Sequence, residues 1–370
     1  MKTQLKSPQN HPAYKRYLTF NKDYPNIKQE YKKFDNFYLK SKAKNNKDDD
    51  GIYVSMPEFL TNSDYIANNF INEIAYLQKH QIEPAQMNKE QLRVMRFINA
   101  FNMFLAWRMS LSIYRIDEDI FNEMIKSSIP KDTPSNIFRR LPDFCVYIDF
   151  PRLVDMDEIN PLIPFNGLKV KGFWAYLDKT FSGNGVKGFE LKICADLIEH
   201  ELYADPLSNV SMIIKDGLTV EESADLVFDQ YVGHSEENTK ALAQSDKIVL
   251  FNYLSILLWL CAEEPDISNI IGEPLTSEQV RQPKYGQKKN TGQFIPPSNP
   301  RIYNLGQRLG GEIRNFKEDI RKSSTSKKAT SKRPHIRKGH WHGYWVGTGQ
   351  NKKFIIKWLP AVFINAPTNN

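Results

Sequence analysis

Acidic side chains are missing from the end of this chain: after Asp319 there is no Asp, no Glu and no Cys. A metal site in that stretch would lack carboxylate and thiolate ligands of its own, and the Lys and Arg there have no local counter-charge. Cysteine is scarce throughout. Cys145, Cys194 and Cys261 are the three in 370 residues, and they stand far apart among apolar neighbours. Such an odd, scattered set argues against a disulfide framework and suits reduced core thiols in the cytosol. Long hydrophobic runs are lacking too. The most apolar stretch, 248–262, carries Asn252 and is shorter than the roughly 18–20 residues that span a bilayer, so it reads as a buried helix. The opening MKTQLKSPQNHPAYKRY has no apolar core of a secretory signal, and no membrane association is expected. Glycine-rich phosphate loops, nucleophile elbows and paired-His zinc helices are also absent, which leaves the common nucleotide-hydrolysing and protease templates without support. No cofactor is expected.

What the chain does have is a divided charge. Its formal net charge is +7. Residues 1–50 hold 12 Lys/Arg against 6 Asp/Glu, residues 51–280 hold 19 against 34, and residues 281–358 hold 19 against 3. An acidic body is thus followed by a basic end, an asymmetry that suits different partners for the two regions.

The basic end is also aromatic. The segment RPHIRKGHWHGYWVGTGQNKKFIIKWLPAVFIN contains two β-prone runs, 335–347 and 354–365, separated by a Gly-Thr-Gly-Gln-Asn cluster. That pattern predicts a β-hairpin. Arg337, Gly339, Trp341, Gly343 and Trp345 share one parity, and Lys338, His340, His342 and Tyr344 the other; Phe354, Ile356 and Trp358 likewise alternate with Lys353, Ile355 and Lys357. Cations attract phosphates and rings stack on bases. The candidate nucleic-acid contacts are therefore Arg333, Arg337, Lys338, His340, Trp341, His342, Tyr344, Trp345, Lys352, Lys353, Lys357 and Trp358. The plain alternative is a half-buried hairpin with a solvated face. His340 and His342 share a strand face, so a zinc ion or an acid–base pair for RNA cleavage, with Lys338 or Arg337 stabilising phosphorane charge, is the catalytic alternative; no complete metal set is present.

Ahead of this end, the chain divides into a polar basic arm (1–50), a helical region (51–130), an acidic α+β core (131–280) and the basic C-terminal region (281–370). Ile66, Phe70, Ile74 and Leu77 have helical spacing, and a second amphipathic helix is predicted through Leu92, Met95, Ile98, Phe101, Leu105 and Ser112. Strands are predicted at 144–150, 172–177, 189–197 and 210–215, forming a mainly antiparallel sheet. Thr219 and Glu222 form a capping box for the next helix, and 238–264 supplies the long buried one. Residues 265–300 read as an ordered long loop or linker. Ile302, Leu305, Leu309, Ile313, Phe316 and Ile320 line up on one helical face, with Gly306, Gly310 and Gly311 allowing close packing. The fold class is α+β: a helical N-terminal part, a central mainly antiparallel sheet with packed helices, and a basic C-terminal hairpin unit.

The strings DTPSNIF, LPDFCVYID, KGFWAYLD, LLWLCAEEPDI, QPKYGQKKNTGQFIPPSNP and the basic C-terminal segment, in this order from about Ala106 onward, resemble the AcrVA-two family of type V-A anti-CRISPR proteins. The resemblance implies an inhibitor, made by phages and mobile elements, that lowers production of the type V-A CRISPR effector in the bacterial cytoplasm. It implies recognition of the effector's N-terminal peptide during translation, followed by loss of its mRNA. It transfers no active site. The charge division fits such an adaptor: the acidic body receives a basic, partly apolar nascent peptide, and the basic end meets mRNA or the ribosome. Phe144, Tyr147, Phe173, Trp174 and Tyr176 are the candidate peptide contacts, core packing being their other use. Two alternatives stand beside the adaptor. One is a ribonuclease using the His pair. The other is a direct inhibitor whose acidic middle imitates nucleic acid on the mature effector.

Overall fold

The computed structural model describes residues 7–44, 97, 100–125, 127–143, 145–162, 167–181, 187–198, 207–232, 237–281, 286–287, 294–323, 335–360 and 362–364. The predicted helix of Ile66 to Leu77 lies outside them. The fold is organised on a seven-stranded mixed sheet. Its strands are β1 (Ser112–Ile116), β2 (Cys145–Asp155), β3 (Lys169–Phe181), β4 (Lys187–Ile198), β5 (Leu207–Ile214), β6 (Ile267–Asn269) and β9 (Arg301–Leu305). The two-stranded pair β7 (Gly286–Gln287) and β8 (Phe294–Ile295) stands apart. Sheet order is β5-β4-β3-β2-β1-β9-β6. Four of the pairings are antiparallel, while β1 runs parallel to both β2 and β9. Strands of the one sheet come from the segments 51–130, 131–280 and 281–370 alike.

Helices cover both faces of the sheet. On one face lie α1 (Pro12–Asp23), α2 (Ile27–Lys44) and α3 (residues 100–107), against Ile113, Tyr147, Trp174, Tyr176, Cys194 and Ile302. The N-terminal arm is docked there: Phe20 stacks with Phe97 and packs on Phe104, and Tyr17 meets Trp107 edge-on. On the other face α4 (Glu118–Met124), α5 (Val220–Val232), α6 (Glu237–Cys261) and α7 (Gln307–Ser323) pack against Ile148, Phe173, Ala175, Leu191 and Ile193. All three cysteines are buried. No helix among the described residues is long and apolar enough to cross a membrane.

Two elements differ from the sequence reading. The helix expected to run through Ser112 ends at Trp107. Leu111 takes a left-handed φ of 49°, the Trp107 indole donates to the Ser112 carbonyl at 2.9 Å, and Ser112 opens β1. Likewise Ile302 and Leu305 belong to β9, and the helix starts only at Gln307, after Gly306 turns the chain with φ 71°. Both strands are short; β1 is parallel to β2 and β9, and β9 is antiparallel to β6 on its other side. Buried on both faces, such strands show no alternation of apolar and polar residues to set them apart from an apolar helix edge. The capping box is present as expected: Thr219 N–H donates to Glu222 Oε2 at 2.8 Å, and Glu222 N–H to Thr219 Oγ1 at 3.3 Å.

Candidate nucleic-acid interface

The C-terminal segment forms the predicted hairpin in two successive parts. β10 (His335–Arg337) pairs with β13 (Val362–Ile364), and β11 (His340–Val346) with β12 (Lys353–Leu359). Along β11 and β12 the register puts Trp341 opposite Trp358, Gly343 opposite Ile356, and Trp345 opposite Phe354 on one face; His342 lies opposite Lys357, Tyr344 opposite Ile355, and Val346 opposite Lys353 on the other. The period of two in the sequence is therefore the division seen in space. Gly343 has to be small, because a Cβ there would overlap the Phe354 ring lying across it.

The aromatic face is what fastens the hairpin to the body. Trp341 is 3% exposed, and its indole N–H donates to the Ser255 carbonyl of α6 at 3.1 Å. Trp358 is half-buried, meeting Trp341 edge-on and tilting against Trp259. Beside them the Arg140 guanidinium donates to the Phe354 carbonyl at 3.0 Å and to Glu263 at 3.0 Å. Lys353 reaches Glu263 at 3.1 Å, and Lys357 reaches Glu264 at 3.5 Å. Trp341 is thus a buried anchor with no face free for stacking, which corrects its assignment as a nucleic-acid contact, and Trp358 packs beside it. A strand alternation identifies an aromatic face but not whether that face meets solvent or protein.

The other face is open: Lys338, His340, His342, Tyr344, Lys353 and Lys357 are exposed, and so, at the hairpin tip, are Trp345 of the aromatic face and Lys352 of the turn. His342 lies against Tyr344 with ring centroids 4.3 Å apart, and His340 meets His342 edge-on at 6.5 Å. The result is a row of rings and cations on a rigid ribbon, suited to contact with an unpaired nucleic-acid strand. Among the described residues no group of three His, Cys, Asp or Glu is placed to hold a metal. Arg333 lies outside the described residues, as does the side chain of Arg337.

The aromatics assigned to a peptide are placed differently. Tyr147, Trp174 and Tyr176 are buried under the N-terminal helices, and Phe173 is buried on the opposite face against Tyr253. All four are core residues, since β2 and β3 are covered on both sides; Phe144 lies outside the described residues. The same face carries a polar network that no local pattern announces. Tyr147 hydroxyl donates to Asp196 Oδ2 at 2.7 Å, and Arg16 of α1 lies 2.7 Å from Asp196 Oδ1. His11 caps α1 by accepting from Ala13 N–H, and its Nε2 lies 3.2 Å from Asp149, which Arg115 and Lys171 also approach at 3.3 and 3.0 Å. Burial opposes ionisation of Asp149, but the bonds from His11 and Lys171 outweigh it and hold the carboxyl below the usual carboxylate range. For Asp196 burial prevails over Arg16 and Tyr147, and its carboxyl is pushed up. These partners are separated by scores of residues in sequence, as are Arg140 and Phe354, so spacing gave no signal for them.

Comparison with known proteins places this architecture. A crystal structure of AcrVA2 superposes with a TM-score of 0.68 at 30% identity, over 96% of this chain and 99% of that one. Protein FinQ of Escherichia coli is 23% identical over 279 residues, 71% of this chain and 75% of FinQ. The sequence pattern of the AcrVA2-like, anti-CRISPR type V subtype A2 family matches residues 114–366, from β1 of the central sheet through the hairpin. The chain belongs to this anti-CRISPR type V subtype A2 family.

Proposed function

We propose that this anti-CRISPR protein is an adaptor that reads the nascent N-terminal peptide of the type V-A CRISPR effector and promotes loss of the effector's mRNA, with the C-terminal hairpin as its contact to RNA or the ribosome. It works in the cytoplasm of the bacterial host and performs no cleavage itself. The observation that carries the RNA half is the open face of the hairpin: Lys338, His340, His342, Tyr344 and Lys357 on a ribbon whose opposite face is fixed to α6 by Trp341. Family membership supports the inhibitory role, and the negative charge of residues 51–280 suits a basic, partly apolar peptide.

The test is made in cells that express the effector, reading its mRNA and protein levels, with calorimetry of the purified chain against the effector's N-terminal peptide and a scrambled control. Combined reversal of Lys338, Lys352 and Lys353 to Glu is expected to abolish most of the fall in mRNA while leaving peptide affinity unchanged. Inhibition with undiminished effector levels would overturn the adaptor in favour of direct blockade.

A further inference from the structure

A groove of about 360 Å³ runs between the hairpin tip and the body. Trp345, Lys352, Lys353 and Phe354 form the hairpin wall; Asp132, Arg140 and the turn at residues 217–219 contribute the other. Trp345 is 53% exposed, yet its ring is not loose, because Phe354 holds it in a T-shaped contact with centroids 5.2 Å apart. A large ring left exposed but fixed in orientation costs burial energy without a compensating contact inside the chain. Three cations against one carboxylate line the space.

We propose that this groove is a nucleotide pocket that takes one unstacked base of single-stranded RNA. The base stacks on Trp345, and the flanking phosphates lie beside Lys352 and Lys353. The volume falls at the low end of small-molecule sites, which run roughly 300–1,000 Å³; it suits one nucleotide and excludes a duplex. Arg140 and Lys353 share Glu263, and the exposed Lys352 and Lys353 at the mouth suit an anionic backbone better than the basic nascent peptide of the adaptor reading. Asp132 adds a preference. An ionised carboxylate only accepts hydrogen bonds, and among the four bases guanine presents two adjacent donors on its Watson–Crick edge. Guanine is therefore the favoured base.

The proposal deepens the reading of the hairpin as an RNA contact and rests on it, so the experiment separates the two. Anisotropy would be followed for the full chain with labelled pentamers of sequence AAGAA, AAAAA, AACAA and AAUAA. Wild type is expected to bind AAGAA most tightly. Trp345→Ala should weaken that binding by on the order of tenfold, the cost of losing one base–aromatic stack, whereas Trp345→Phe should retain most of it. Asp132→Asn should remove the guanine preference, bringing AAGAA to the affinity of AAAAA. Trp345 lies at the tip, away from the Trp341 anchor, and an unchanged melting temperature will confirm that the variants fold. Equal RNA affinity in wild type and Trp345→Ala would overturn the groove while leaving the open face as the contact. Absence of RNA binding by wild type would overturn both, and a guanine preference that survives Asp132→Asn would overturn the role of Asp132.

Discussion

His11 joins two structural duties. Its Nδ1 accepts the Ala13 N–H that begins α1, and its Nε2 faces Asp149, an arrangement that needs the proton on Nε2. Asp149 thereby ties the N-terminal arm to the sheet. Its carboxyl is held below the ordinary value of about 4, so the stability it contributes is complete above that pH and is lost as pH falls through the lowered value. Asp149→Asn is expected to cost about 3 kcal/mol at pH 7, as for one member of a buried pair removed, and the gap to wild type should narrow as pH falls below about 4. Urea midpoints across that range are the measurement; a gap independent of pH would mean that packing, not charge, was disturbed. Asp196, pushed up by burial, works in the opposite sense, since protonation relieves it. His340 and His342 offer a second residue-level test. Losing a general acid or base costs about 10²–10⁴-fold in rate, so under the adaptor reading the double change to Asn reduces mRNA loss only as far as it weakens RNA binding. A collapse of that size with RNA binding retained would restore the ribonuclease. At this scale the sequence reading found the exposed rings and cations but could not distinguish Trp345 from Trp341. The two share a strand parity, and only the position of α6 separates an anchor from an open ring.

Among the elements, α7 shows how position decides the value of a glycine. Arg314 and Lys317 clamp it to Asp117 and Asp119 at the N-terminal end of α4. A Cβ at Gly310 would overlap the Asp117 carboxylate, whereas one at Gly311 meets open space. Gly311→Ala should therefore stabilise the protein by about 0.5–1 kcal/mol through helix propensity. Gly310→Ala should destabilise it despite the same propensity gain, because the clamp must open. Thermal melts of the two variants would show shifts of opposite sign; equal shifts would contradict this packing. For the hairpin, Trp341→Ala is expected to cost about 3–5 kcal/mol in denaturant unfolding and to weaken RNA binding indirectly. The hairpin, the capping box and β2 to β5 were legible because each carries a local signal: a turn cluster, a side-chain reciprocity, or β-branched runs bounded by turn residues. β1 and β9 were not. Each has only five residues, mostly buried without alternation, and their partners lie far along the chain.

In the whole molecule the basic ribbon is fastened to the acidic body by Arg140, which donates to the Phe354 carbonyl, and by the pairs of Lys353 with Glu263 and Lys357 with Glu264. Those ion pairs leave Lys338 and Lys352 exposed to solvent. RNA affinity should accordingly fall with rising salt, with a slope of about 0.7 per phosphate neutralised on a single strand. The Lys338, Lys352 and Lys353 reversal should flatten that slope; a slope unchanged by the reversal would place the RNA elsewhere. Placing β1 between β2 and β9 has a consequence for synthesis. One edge of β1 can be satisfied as soon as β2 emerges, but the other waits for residues 301–305. At roughly 5–20 residues per second, the ribosome leaves an apolar strand edge open for on the order of ten seconds or more. An interrupted copy would keep that edge, together with its capacity to pair with any other exposed strand. Integrity of the inhibitor is thus checked near the end of its own translation, when β9 closes the sheet.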